Sequence, residues 1–438
     1  MRLLLAFLLV SLAGLAVGLA PAQANPEGDP EPRAADRPVS PPVDRANPAP
    51  PPAPRATGGK AGTGAVELRV GYYDNDDSGS EGNPFLDESL TDIEPVVVIE
   101  FQATDRLRLT LTGSYDSVSS ASIDRLSNYS NQSGASGDNY FSGDLAARYE
   151  VSEDVRIGGH FGASVEYDYR SLGFGASVEV DLAEKNATLS LGFNAYLDQI
   201  DVIRFNGDES EGGEDRTSLT LNLGYYQILS PTIHLDLGAS FTYQTGFLET
   251  AYNGVILEDP NTPLSGSEDP DRFLDLTRLP PGVAVVAEDM PDTRIRSAIF
   301  GEVRKHFVDS GTALGFRARL YTDTWGIFGV TAEVKLYQWL VKDLLRARVR
   351  YRFYAQTAAD DYSERFFVPQ GQRTTNPFEP NQERTQDSDL SAFSSHTLGL
   401  KLVFTPSEHW TFDLGGDYVL RSDGIDQILL SFGARWEF

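Results

Sequence analysis

Apolar and polar residues alternate one by one through most of this chain, and the alternation runs longest at its end. From Ile425 to Phe438 one face carries Ile428, Leu430, Phe432, Ala434, Trp436 and Phe438, and the other Leu429, Ser431, Gly433, Arg435 and Glu437. A period of two predicts a strand with one face in an apolar medium. Its length is roughly twice that of a usual globular strand, and is the reach a tilted strand needs to cross a bilayer.

Similar segments recur upstream. They fall at 66–73, 95–103, 106–115, 140–151, 155–169, 171–182, 187–199, 216–228, 232–245, 294–307, 312–322, 327–339, 343–356, 396–405, 410–421 and 425–438. The pattern predicts sixteen strands, with fourteen as the alternative count. The links after every second segment are short, such as Thr104-Asp105 and Ser152-Glu153-Asp154, whereas 74–94, 116–139, 200–215, 246–293 and 357–395 are long. Short periplasmic turns alternating with longer external loops define an outer-membrane barrel, and a soluble sandwich has no reason to sort its links this way. The predicted fold class is therefore all-β, a transmembrane antiparallel β-barrel with periplasmic termini. Tyr115, Tyr149, Tyr243, Trp410, Tyr418 and Trp436 fall near strand ends, where aromatic girdles are expected.

The start of the chain follows different rules. Met1 and Arg2 precede an apolar run from Leu3 to Ala20 and then Ala22-Gln23-Ala24, the layout of a cleaved signal peptide over 1–24. Residues 25–64 hold eleven of the 25 prolines and almost no large apolar side chain, which predicts an extended periplasmic linker before a barrel spanning 65–438. The absence of Cys excludes disulfides, thiolate metal sites and covalent haem attachment.

Candidate chemistry lies on the inward parity. Arg346, Arg348, Arg350 and Arg352 alternate with apolar residues and cannot face lipid without a large penalty. Arg294, Arg296, Arg304, Arg317, Arg319 and Lys335 join them by the same parity, opposed locally by Glu302 and Glu333. Asp144, Glu150, Glu166, Asp168, Glu179, Asp181 and Asp198 form the reverse wall, with Arg148 and Arg156 among them. Two readings of these charges stand side by side. In one they line a wet lumen with a transverse field; in the other they pair across strands or with an inserted loop, for which 246–293 is the natural candidate.

The net charge of −28 excludes a phosphate-backbone partner, so no nucleic acid is expected. External acidic loops are suited instead to divalent cations bridging lipopolysaccharide. Asp74, Asp76 and Ser78 imitate the first half of a calcium loop, but Phe85 stands where the bidentate Glu belongs. The five His (His160, His234, His306, His396, His409) build no nucleophile–base cluster by spacing, so an enzyme is the least favoured reading. No cofactor is implied.

Two resemblances add to this. A terminal strand with Trp436 and ending on Phe438 resembles the sorting signal read by the barrel-assembly machinery of bacterial outer membranes. The Ser230-Pro231 turn, Tyr321-Thr322-Asp323-Thr324-Trp325-Gly326, the string from Tyr351 to Asp360, and Ser388-Asp389-Leu390-Ser391-Ala392-Phe393 resemble an uncharacterised family of predicted outer-membrane barrels. That likeness implies the fold and the location, and no substrate. The expectation is a porin-like passive channel for small hydrophilic solutes; the rival is a non-conducting barrel that anchors an envelope complex. A homo-oligomer and a periplasmic partner for the linker are compatible with either.

Overall fold

The computed structural model describes residues 59–77, 90–120, 138–204, 209–251, 253–264, 279–369, 371 and 382–438. The predicted signal peptide and nearly all of the predicted linker lie outside them, as do Ser78 and the side chain of Asp76.

Nineteen strands are present among the described residues. In chain order they are β1 (Gly64–Asp77), β2 (Leu90–Thr104), β3 (Leu107–Ser120), β4 (Asp138–Glu150), β5 (Val155–Val165), β6 (Tyr169–Leu182), β7 (Ala187–Asp201), β8 (Gly213–Ser230), β9 (Ile233–Gly246), β10 (Gly254–Glu258), β11 (Ala284–Ala287), β12 (Thr293–Phe307), β13 (Thr312–Asp323), β14 (Phe328–Val341), β15 (Leu345–Gln356), β16 (Phe366–Phe367), β17 (Phe393–Ser407), β18 (Trp410–Arg421) and β19 (Ile425–Glu437). Sixteen of them close into one antiparallel barrel; β11, β10 and β16 form a separate small sheet. The barrel shuts where β1 pairs with β19 in register from Ala65↔Glu437 to Asp77↔Ile425, and Gly64 and Phe438 exchange two backbone hydrogen bonds of 2.9 Å. Closure leaves no barrel edge with unpaired backbone, which is the condition for strands to stand in lipid.

The alternation seen in the sequence becomes the two surfaces of the barrel wall. Leu398, Leu414 and Phe161 are 60%, 59% and 57% exposed, and Leu, Ile, Val and Phe recur at that parity on the other strands. Side chains of this kind are stable outside only against hydrocarbon. At the short-turn end Phe404, Trp410, Phe412, Trp436 and Phe438 form an aromatic cluster across β17, β18 and β19, with Trp410 and Phe412 stacked at 5.6 Å and Trp436 and Phe438 tilted at 5.0 Å.

All sixteen predicted segments are strands, but several boundaries move. β1 runs through Asp77 and β2 starts at Leu90, so Asp74 lies on a strand rather than in a calcium-type loop. There its carboxylate accepts hydrogen bonds from Thr91 Oγ1 at 3.0 Å and Tyr72 at 3.2 Å. Hairpins extend past the apolar band because backbone pairing continues after the alternation ends. The opposite occurs at β5, which stops at Val165: Glu166 and Asp168 sit in a tight turn closed by Glu166 N–H donating to Tyr169 O at 2.7 Å, where Tyr167 stays exposed and Asp168 buried.

The larger surprise is the long loops. The described residues of 247–292 and 357–392 fold together into a cap at the long-loop end, built on the β11–β10–β16 sheet. Clusters of buried apolar side chains form here and against the neighbouring β13–β14 turn. Val255 and Leu257 pack with Val286, Phe366 and Val368; Ile256 and Leu264 pack with Leu279, Val283 and Val285; Met290, Trp325, Ile327 and Ala359 pack with Leu248, Tyr321, Tyr362 and Leu390. The apolar clusters thus sit in and beside the cap, and the barrel interior is largely polar.

Candidate functional site

The lumen is bounded by two unlike walls. In the closed order β15 stands half-way round from β5, and β17 from β6, so the predicted cationic and acidic walls do face each other.

On the acidic side the carboxylates are largely neutralised by cross-strand partners. Arg156 donates from Nη1 and Nη2 to Asp181 at 2.6 and 2.5 Å and from Nε to Glu179 at 3.0 Å; Arg148 also reaches Glu179. Thr188 Oγ1 donates to Asp181 at 2.8 Å. Asp198 is held by Ser171 at 2.6 Å and Arg216 at 2.8 Å. His160 bridges Asp144 at 2.8 Å and Asn194 at 2.9 Å. The pairing reading of the charges therefore holds on this wall. Arg216 and Asn194 were missed because Arg216 stands at the very start of the apolar alternation of its strand and a neutral amide carries no charge signal of its own.

On the cationic side the residues separate into two groups. One is tied to carboxylates. Lys335 Nζ lies 2.5 Å from Glu333 and 3.9 Å from Glu302; Arg304 pairs with Glu302; Arg350 reaches Asp417 at 2.9 Å and Glu333 at 3.6 Å. Asp417 belongs to β18 and extends the network beyond the two glutamates expected. Lys401 adds a pair to Asp413 at 2.5 Å. The other group lies over aromatic rings: Arg317 over Phe300 at 4.4 Å, Arg319 and Arg296 over Tyr321 at 5.4 and 5.7 Å, Arg346 over Trp339 at 5.6 Å, and Arg352 over Tyr354 at 5.8 Å. Among the described residues Arg317, Arg346 and Arg348 make no ion pair. Arg348 Nε is buried without a hydrogen-bond partner.

The cap docks on this same cationic half. Gln356 Nε2, at the end of β15, donates to the carbonyls of Asp389 and Ser391 at 2.9 and 2.7 Å. Arg421, at the end of β18, joins Asp389 and Asp423 at 2.5 Å each and lies over Phe393 at 4.0 Å. Arg294 on β12 joins Asp323 at 2.5 Å and covers Trp325 at 3.9 Å. Inside the cap, Arg365 clamps the buried Glu258; from the β7–β8 loop, Arg204 bridges Glu211 and the cap's Glu249 at 2.6 Å. Burial drives the carboxyls of Glu288, Asp387 and Asp389 well above the ordinary range, and their mutual repulsion adds to it. Among the described residues no His or carboxylate cluster is placed to hold a metal ion.

The histidines do not converge. His234 Nδ1 meets Tyr226, His396 faces outward against Tyr351 at 2.8 Å, and His409 lies against the Glu437 carbonyl at 2.9 Å.

A closed barrel with an apolar exterior and a charged interior under a folded cap is a transmembrane β-barrel of the outer-membrane type. The chain belongs to the family described as a protein of unknown function (DUF3570), whose model matches residues 53–427. No curated protein matches it. Among solved structures it is similar in fold to a bacterial polysaccharide outer membrane secretin, at 9% identity and TM-score 0.46, over 85% of this chain and 98% of that one. It is likewise similar to OccAB3 of Acinetobacter baumannii, at 8% identity and TM-score 0.40, over 86% and 99%. The CymD monoaromatic hydrocarbon channel aligns at 10% identity and TM-score 0.36, over 87% and 89%.

Proposed function

We propose that the protein is a passive outer-membrane channel for small hydrophilic solutes, with its short turns in the periplasm and its cap outside. The observation that carries this reading is the polar interior. Sixteen strands enclose a width that side chains alone do not fill, and the apolar clusters of the described residues sit in and beside the cap rather than across the lumen wall. Cations without ion pairs on one wall give the lumen a selectivity element. Lipopolysaccharide and the assembly machinery that reads Trp436 and Phe438 are the partners this location implies.

The test is single-channel conductance of refolded protein in a planar bilayer, with the reversal potential measured across a salt gradient. Arg346→Glu with Arg348→Glu is the informative variant, because Arg350 is fixed between Asp417 and Glu333 and its reversal would damage the wall. Steady current with a shift toward cation selectivity supports the channel. Silence from a folded, heat-modifiable barrel refutes it.

The docked cap favours a second reading, in which the barrel is closed from outside and serves as an anchor in an envelope complex. Current that appears only after the cap is released would support that resting state.

A further inference from the structure

We infer that the cationic wall is a binding track for an oxyanion carried on a flat ring, the chemistry of aromatic carboxylates and aryl phosphates. The inference rests on the proposed wet lumen and names the solute class it would take.

The two groups of cations differ in what they have left to offer. Guanidinium donors lie in the plane of the group, five N–H in a fork that matches a carboxylate or phosphate edge. A carboxylate partner occupies that edge: Arg156 is used in this way by Asp181 and Glu179, and Arg350 by Asp417. An aromatic ring attracts the cation through its face and accepts no such hydrogen bond, so it orients the Arg while leaving the fork open. Arg317 shows the distinction. It lies in register between Glu302 and Glu333, yet pairs with neither, since those carboxylates hold Arg304, Lys335 and Arg350; its neighbour is the Phe300 ring at 4.4 Å. Arg346 repeats the arrangement with Trp339 at 5.6 Å, close to the short-turn end. Arg348, next along the same face, has a buried Nε with no partner. An open fork beside a ring is a two-part site. The fork takes the two oxygens of the anion, and the ring takes the solute's apolar body by offset or edge contact. A small inorganic anion would engage only the first part.

Aromatic pairing contributes about 0.5–1.5 kcal/mol beyond area burial, which converts to roughly a two- to ten-fold preference. Isothermal titration at low ionic strength, on the refolded full-length barrel in detergent, should give benzoate tighter than acetate and phenyl phosphate tighter than inorganic phosphate by about that factor. Which pair shows the larger preference distinguishes a carboxylate from a phosphate solute. Phe300→Leu with Trp339→Leu should abolish the preference while acetate still binds; Arg317→Gln with Arg346→Gln should lose both anions. Equal affinity for ring-bearing and ring-free anions in the native protein, needing no variant at all, would overturn the inference. A preference that survives the double Leu change in a heat-modifiable barrel would do the same. Bilayer current separates this from the channel proposal. Current without ring preference sinks only the track, and ring-selective binding without current sinks only the channel.

Discussion

Arg421→Ala should release the cap from β18, and its cost can be worked from the partners left behind. The Arg421 side chain is 1% exposed and is shared between Asp389 and Asp423, with Phe393 beneath it. Asp389 is itself buried beside Asp387, which already pushes its carboxyl up; Arg421 is the group that opposes this. Asp389 is pushed up to about 7 even with Arg421 in place, so it binds a proton on docking that it loses on release. Without Arg421 only the protonated form stays docked. At pH 5 the native carboxyl is already protonated and its charge pair contributes little. At pH 8.5, one and a half units higher than 7, keeping the proton costs about 2 kcal/mol more than in the native protein, at 1.36 kcal/mol per pH unit. Hydrogen exchange of the amides that tie the cap to the barrel, Thr357 to Phe328 O and Asp360 to Trp325 O, is the assay. Corrected for intrinsic rate, the rise in opening caused by Arg421→Ala should be roughly thirty-fold larger at pH 8.5 than at pH 5. Adding Asp389→Asn should remove that pH dependence, because the titrating group is gone. Equal loss at both pH values, or a pH dependence that survives the second change, would each refute the reasoning.

Three further outcomes follow from the same structure. Glu288, whose carboxyl burial pushes up to about 8, binds a proton in the folded cap that it loses when released; cap stability is therefore full below its ordinary range and declines as pH rises toward 8. Glu288→Gln should flatten that slope in exchange measured from pH 5 to 8.5, and an unaltered slope would remove Glu288 from the account. Gly326 has φ of +86°, and a Cβ there would lie 2.3 Å from an Asp360 oxygen, so Gly326→Ala should loosen the 324–327 turn by about 1–3 kcal/mol, read as faster exchange at Asp360. Leu400→Arg, on the outer face at 51% exposure, should cost about 2–4 kcal/mol in urea refolding into lipid vesicles; a neutral result would mean that face does not meet hydrocarbon.

What could be read from the sequence and what could not divide along one physical line. A strand between lipid and water announces itself every second residue, so all sixteen barrel strands were predictable, as was the inward parity of Arg346 to Arg352. The cap was not. Gly254–Glu258 is a short apolar run inside an acidic loop, and Phe366–Phe367 is only a pair; their pairing is set by contacts far apart in the chain. The partners of the charges were equally hidden. Parity places Arg317 in the lumen, but whether it meets Glu302, Glu333 or Phe300 depends on register and rotamer. The alternation runs on to Tyr169, four residues past the end of β5, so it hid the turn that holds Glu166 and Asp168.

Three of the strings that mark the family meet at one place. Asp323, Trp325 and Gly326 form the turn after β13; Asp360 N–H donates to Trp325 O at 2.8 Å; Ala359 N–H donates to Leu390 O at 2.8 Å; and Tyr354 packs on Phe393 at 5.7 Å. This is the junction where the cap joins the cationic wall. The barrel needs none of it to close, since β1 and β19 complete the cylinder elsewhere. A junction built from buried Arg294, Arg421, Asp323 and Asp389 is costly to desolvate and gives little net stability over an apolar contact. Such groups are worth having where a contact must be specific, and here they fix where the cap sits on the rim of the cationic wall.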